Sequence, residues 1–116
     1  MRLAATAGVA GGLSVACGAF GAHGLEDVLS AEALGWWETA TFYLMTHAVA
    51  GLAMGLQTRV PSRPGFLMVG GGVLFAATLY AMALGAPTIL GAVTPIGGTL
   101  MILGWVDLVV AALRSR

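Results

Sequence analysis

The chain's 116 residues are 59% hydrophobic and only 9% charged, with five basic side chains balanced by five acidic ones. A soluble domain this short exposes much of its surface to water and carries about a quarter charged residues, so these proportions exclude a soluble fold and make lipid the solvent. The single cysteine, Cys17, rules out an internal disulfide, and no basic patch with interleaved aromatics offers a surface for nucleic acid.

Four apolar stretches follow one another along a single domain. The first, residues 3–22, has the roughly 20 residues that a hydrocarbon core requires of a helix. It reads as a retained helix and not a cleaved leader, because a lipoprotein-type processing site would place an aliphatic residue where Ser14 stands, three before Cys17. Ala4, Gly8, Gly12 and Ala16 recur every fourth residue, and such a stripe predicts the face on which another helix comes close. The connection that follows carries His23, Glu26 and Asp27. Ser30 with Glu32 predicts a helix start, with an N-cap oxygen and a carboxylate near the positive end of the helix dipole.

The second span, residues 37–57, is the one the others should gather around. Trp36 and Trp37 suit a water interface, and His47 then falls near the bilayer midplane. Thr39, Tyr43 and His47 are spaced by four, which predicts a polar face turned inward, since polar groups in hydrocarbon need partners. A loop with Arg59, Arg63, Pro61 and Pro64 leads to the third span, residues 66–85. Gly70, Gly71 and Gly72 lie near its entry, predicting close packing, and Thr78 and Tyr80 are its polar side chains. An uncharged connection ends at Thr94 and Pro95, an N-cap oxygen followed by proline at the first helical position, and the fourth span covers residues 96–113. Arg2, Arg59, Arg63, Arg114 and Arg116 then share one side of the membrane and the acidic loop the other. Arginine-rich flanks prefer the cytoplasm, so the sequence predicts an all-α, integral membrane four-helix bundle with both termini cytoplasmic.

Three blocks carry a resemblance: GAFGAHGL from Gly18 to Leu25, WETATFYLMTHAVA from Trp37 to Ala50, and LGAVTPIGG from Leu90 to Gly98. With these the chain resembles, over nearly its whole length, the YgdD/YwdK-like family of small bacterial membrane proteins, which also has animal relatives. The resemblance implies four transmembrane helices in the bacterial inner membrane and no assigned chemistry. His23, Trp37, Thr39, Ala40, Tyr43, His47, Thr94, Pro95, Gly97 and Gly98 match the family's pattern, and Asp107 departs from it.

Catalytic signatures are missing from the sequence: no nucleophile elbow, paired CxxC, phosphate loop or HExxH is present. His23 and His47 lie too far apart, with too few other ligands, to predict a metal, and no cofactor is expected. His47 has a structural reading, as a hydrogen-bonded link between helices, and a functional one, as a proton relay with Asp107 as second station. Counted from the outer ends of the second and fourth spans, His47 and Asp107 fall at similar depth. The expected intramembrane polar cluster is therefore Thr39, Tyr43, His47, Thr78 and Asp107, with His23 and Glu38 facing each other at the outer rim. The sequence favours a non-enzymatic membrane protein that acts through packing with lipids, with itself as a homo-oligomer, or with another membrane protein, in support of membrane integrity. A small proton-coupled transporter or channel with a path centred on His47 is the alternative.

Overall fold

The computed structural model describes residues 1–115, and Arg116, the last of the arginines, lies outside the described residues. Four α-helices carry the fold: α1 (Arg2–His23), α2 (Ala31–Gly55), α3 (Arg63–Ala83) and α4 (Thr94–Arg114), with a 3₁₀ turn at Thr88–Ala92 before α4. Local chemistry accounts for most of the boundaries. The Ser30 side chain accepts from the Ala33 amide, so α2 starts six residues before the tryptophan pair has ended, as the N-cap signal predicts. At the end of α3, Gly85 adopts φ +106°, and the Ala86 amide reaches back to the Ala81 carbonyl at 2.9 Å. Only glycine takes that left-handed conformation without strain, and the bond it permits closes the helix in a Schellman turn.

Thr94 does not cap α4. The chain enters through the 3₁₀ turn, so Thr94 is already helical and its hydroxyl donates back to the Leu90 carbonyl at 3.2 Å. Pro95 still occupies the first turn, where its missing N–H costs nothing.

Each helix packs along its length against its neighbour in the chain, and α1 meets α3 only lightly. The result is a flattened bundle with extents of 52 × 26 × 18 Å. Within the apolar stretch of α3 44% of residues are buried, against 22% in α1 and 17% in the stretch ending α4, so α2 and α3 form the middle of the bundle and α1 and α4 lie on its two outer sides. Three of the described helical stretches, Arg2–His23, Arg63–Ala83 and Thr88–Arg114, are long and apolar enough to cross a membrane. The second helix, α2, has the length but is not among them, because Glu38, Thr39, Thr41, Thr46 and His47 are distributed along it.

The core is built from small and flexible side chains. Ala7, Ala10, Ala40, Ala48, Met68, Val69 and Ala76 are almost wholly buried, and close approach between backbones supplies much of the contact. A Cβ at Gly97 would lie 2.5 Å from the Phe75 nitrogen and 2.7 Å from the Gly71 carbonyl oxygen, and one at Gly55 would lie 2.7 Å from the Ala4 nitrogen. The triple glycine divides its labour: Gly71 faces α4, Gly72 faces His47 on α2, and Gly70 meets nothing within 4 Å.

On α1 the contact face keeps only Ala4 of the predicted stripe, which Gly55 of α2 approaches. Leu3, Ala7, Ala10, Ser14 and Gly21 are buried, whereas Gly8 and Gly12 meet nothing within 4 Å and Ala16 is exposed. A helix turns ~100° per residue, so each step of four advances about 40° around the axis. A stripe at spacing four therefore spirals away from a nearly parallel neighbour, while the alternating three-and-four spacing from Leu3 to Ser14 stays facing it.

Arg2, Arg59, Arg63 and Arg114 all gather at the end of the bundle that holds both termini, and Glu26, Asp27, Glu32 and Glu38 at the other. Asp107 is the one acidic residue placed with the arginines.

Candidate functional site

Polar groups inside the bundle form hydrogen-bonded links between helices, and the structure distributes them over several places. The first lies toward the acidic end. Trp37, expected at the water interface, instead points inward and is only 5% exposed. Its indole N–H donates to the Cys17 carbonyl of α1 at 2.7 Å. The Thr41 hydroxyl donates to the Trp37 carbonyl, and in turn accepts from the Tyr80 hydroxyl of α3 at 2.6 Å. Trp37 and Tyr80 rings lie 4.3 Å apart, and Phe20 meets Trp37 edge-on at 6.1 Å. Three helices are thus joined by one chain of donors and acceptors.

The sequence makes room for this joint through glycine. A Cβ at Gly21 would collide with the Trp37 indole, and one at Gly18 would come 3.2 Å from the Thr41 methyl. Gly18 and Gly21 belong to one of the blocks singled out above, and Trp37 and Thr41 to another. The two blocks are one contact written in two places.

The second link is at His47, which is buried at 6% exposure. Its Nδ1 lies 2.8 Å from the Tyr43 carbonyl, one turn back on α2, and its Nε2 lies 3.0 Å from the Trp105 indole nitrogen of α4. A carbonyl can only accept and an indole N–H can only donate. Nδ1 therefore carries the proton and donates, Nε2 accepts, and the ring is the neutral tautomer with both nitrogens in use. Tyr43 contributes its carbonyl and its ring, which stacks near His47 and packs on Phe75 at 4.8 Å. These side chains line a cavity of ≈ 330 Å³ in the groove between α2 and α4, bounded also by Gly98, Met101 and Ile102.

The expected cluster of Thr39, Tyr43, His47, Thr78 and Asp107 is thus not a single site. Tyr43 and His47 stay together. Thr39 is exposed, because two steps of four turn it about 80° from His47. Thr78 lies against α4, where its hydroxyl meets that of Thr94 at 2.7 Å. Asp107 accepts a bidentate pair of bonds from Arg63, both at 2.7 Å, and not from His47. Depth and direction both separate the two. Gly72 faces His47 and Met101 while Gly104 packs on Pro64, so Asp107 lies nearer the arginine end than His47. Its two-residue offset from Trp105 also turns it about 160° around the helix from the side chain that does reach His47. At the acidic end of the bundle, where the sequence predicts an outer rim, His23 and Glu38 are both exposed, and among the described residues no ion pair joins them. No group of three or more His, Cys, Asp or Glu that could hold a metal occurs among the described residues.

Sequence reasoning passed over Trp105 and Thr41. A signal was present for Trp105, since an indole N–H about 13 Å from the end of an apolar helix is too deep for interfacial water and needs a protein acceptor. Thr41 offered none, being one of several threonines on α2 that could bond to their own helix.

Comparison with known proteins adds the following. Residues 17–98 match the family model described as "Protein of unknown function (DUF423)". A "UPF0382 membrane protein" of Staphylococcus epidermidis is 47% identical over 106 residues, covering 88% of this chain and 87% of that one. The "UPF0382 membrane protein YwdK" of Bacillus subtilis is 43% identical over 108 residues, 88% of each chain, and one from Haemophilus influenzae is 38% identical over 112 residues, 93% of this chain and 90% of its relative. No solved structure matches.

Proposed function

We propose, from the premise that the chain belongs to the DUF423 family of membrane proteins of unknown function, that it is a non-enzymatic, multi-pass protein of the bacterial inner membrane that acts by packing. In this reading all four helices span the bilayer, and both termini, with the arginines, face the cytoplasm. Its partners are the surrounding lipids and either a second copy of itself or another membrane protein.

One observation carries the choice between a packing role and proton transport: both nitrogens of His47 are engaged, one by its own helix and one by α4. A second proton on the ring would have to displace the Trp105 donor, so the imidazole is built as a strut between helices and not as a relay station. Asp107, the second station that a relay would use, is held by Arg63.

Purified protein in liposomes tests this directly. A packing protein leaves proton and solute leakage at the level of empty liposomes. Flux well above that level, abolished by His47→Gln, would establish the transporter reading. Sidedness is tested by labelling single cysteines in intact cells: one placed at Ser30 should react with an impermeant reagent and one at Ser115 should not.

A further inference from the structure

We infer that the arginine-bearing end of the bundle contains a binding site for the phosphate of an anionic phospholipid, formed where the connection between α2 and α3 meets the last turn of α4. A cavity of ≈ 330 Å³ opens there, with Arg59, Arg63 and Arg114 around it, Asp107 as the only acidic side chain lining it among the described residues, and Val110 and Ala111 as its apolar wall. Among the described residues, three guanidinium groups face one side-chain carboxylate there, so positive charge prevails on a small concave surface.

Asp107 does more than subtract a charge. By accepting from both Nε and Nη2 of Arg63 it fixes the plane of that guanidinium, and the side chains differ in exposure, 71% for Arg63 against 16% for Asp107. Arg63 is thus held from behind with its remaining N–H donors facing outward. Guanidinium forks match the spacing of phosphate oxygens, and a pre-positioned fork loses little freedom when one binds. Arg63 also opens α3, so the unpaired amides and dipole of that helix end add to the positive potential.

The apolar surroundings point to a lipid as the source of the phosphate. Leu103, Val106 and Val110 lie on one face of α4, all lipid-exposed, and lead away from the cavity toward the middle of the bundle. A headgroup seated among the arginines would lay an acyl chain along this line. The site is separate from the His47 strut, and it stands whether the protein packs or transports.

Native mass spectrometry of the full-length protein in mild detergent, offered equal amounts of phosphatidylglycerol and phosphatidylcholine, tests the inference. One phosphatidylglycerol should be retained in preference, and the Arg59→Gln/Arg114→Gln double variant should lower that preference by about thirtyfold, given the contribution of each basic residue near an anionic headgroup. Both side chains are exposed at the bundle's end, and matched melting temperatures would show that the variant folds. Arg2→Gln, which removes the same kind of charge from α1, should leave the preference intact. Asp107→Asn separates a built site from bulk attraction: it raises the net positive charge but releases Arg63, so affinity should fall. No preference for phosphatidylglycerol, an unchanged preference in the double variant, an equal loss in Arg2→Gln, or a gain in Asp107→Asn would overturn the proposal. Displacement of the lipid by millimolar inorganic phosphate would likewise overturn it, in favour of a site for a soluble phosphate.

Discussion

Trp37 and Trp105 make the same kind of bond in opposite surroundings. Each indole N–H crosses to another helix, Trp37 to the Cys17 carbonyl and Trp105 to His47 Nε2. Trp37 is 5% exposed and lies in a slot floored by Gly21, with Phe20, Tyr80 and Thr41 around it. Trp105 is 43% exposed, on the open side of a groove between α2 and α4. Helices in lipid gain no hydrophobic attraction for one another, so association rests on close packing and on polar links. At Trp37 the two coincide, and steric fit is the larger part. At Trp105 packing is slight, because α4 rests mainly on α3, and the hydrogen bond is nearly all that ties α4 to α2.

The largest effect should therefore follow from filling the glycine slot. In Gly21→Ala the new methyl occupies the place of the Trp37 ring, which must move and lose its bond to Cys17. A loss of about 1–3 kcal/mol is expected, as for overpacking generally, read as a lower unfolding temperature in detergent. The comparison sharpens in a double-mutant cycle. Trp37→Phe gives up the N–H and the wider ring system, and Gly21→Ala in that background should cost clearly less than in the parent chain. An additive result would mean that Gly21 does not act through Trp37.

A smaller effect is expected at the open groove. Trp105→Phe keeps an aromatic ring against α4's neighbours but leaves Nε2 of His47 without its donor, and interhelical hydrogen bonds in membranes are worth about 0.6 to 1.7 kcal/mol. His47→Leu should cost a similar amount, and adding Trp105→Phe to it should cost little more, since the bond is already gone. A double variant losing the full sum of both changes would show the pair to be uncoupled, and the strut reading of His47 would go with it.

How much of this was legible in the sequence depends on which coordinate is asked for. Rise along a helix is simple arithmetic, so the four helices and the Ser30 cap could be read from residue number alone. The relative depth of His47 and Asp107 could not, because it also depends on how far α4 is slid against its neighbours: His47 lies level with Gly72 and Met101, and Asp107 with Arg63 at the start of α3. Azimuth is harder, because an error of one residue is about 100° and the choice between spacings of four and of three-and-four decides which side chains face inward. Thr39 was misdirected in this way, and so were Gly8 and Gly12. Partners on other helices were the least legible of all. His47 plainly needed a second bond, but whether Asp107 or Trp105 supplied it depended on how α4 was rotated about its axis and how far it was slid along it, which are set by Gly97 and Gly104 fitting against α3. Asp107 was drawn instead to Arg63, a residue the sequence placed outside the span and the structure places at the first position of α3.

Gly8 and Gly12 give the smallest expected effect and the cleanest contrast with Gly21, since all three lie on α1 and differ only in what they face. Neither Gly8 nor Gly12 has an atom within 4 Å of a built Cβ, so Gly8→Ala and Gly12→Ala displace nothing in the chain's own fold. Exposed substitutions of this kind usually fall within about 0.5 kcal/mol of the parent. Alanine is also the better helix former, which sets any residual change in the stabilising direction. The expected result is an unfolding temperature equal to or slightly above that of the parent, in the same detergent in which Gly21→Ala is lowered. A loss at Gly12 comparable to that at Gly21 would mean that the outer face of α1 is covered in the assembled protein. The unfolding temperature should then also depend on protein concentration, and the distinction between the inner and outer faces of α1 would hold only for the single chain.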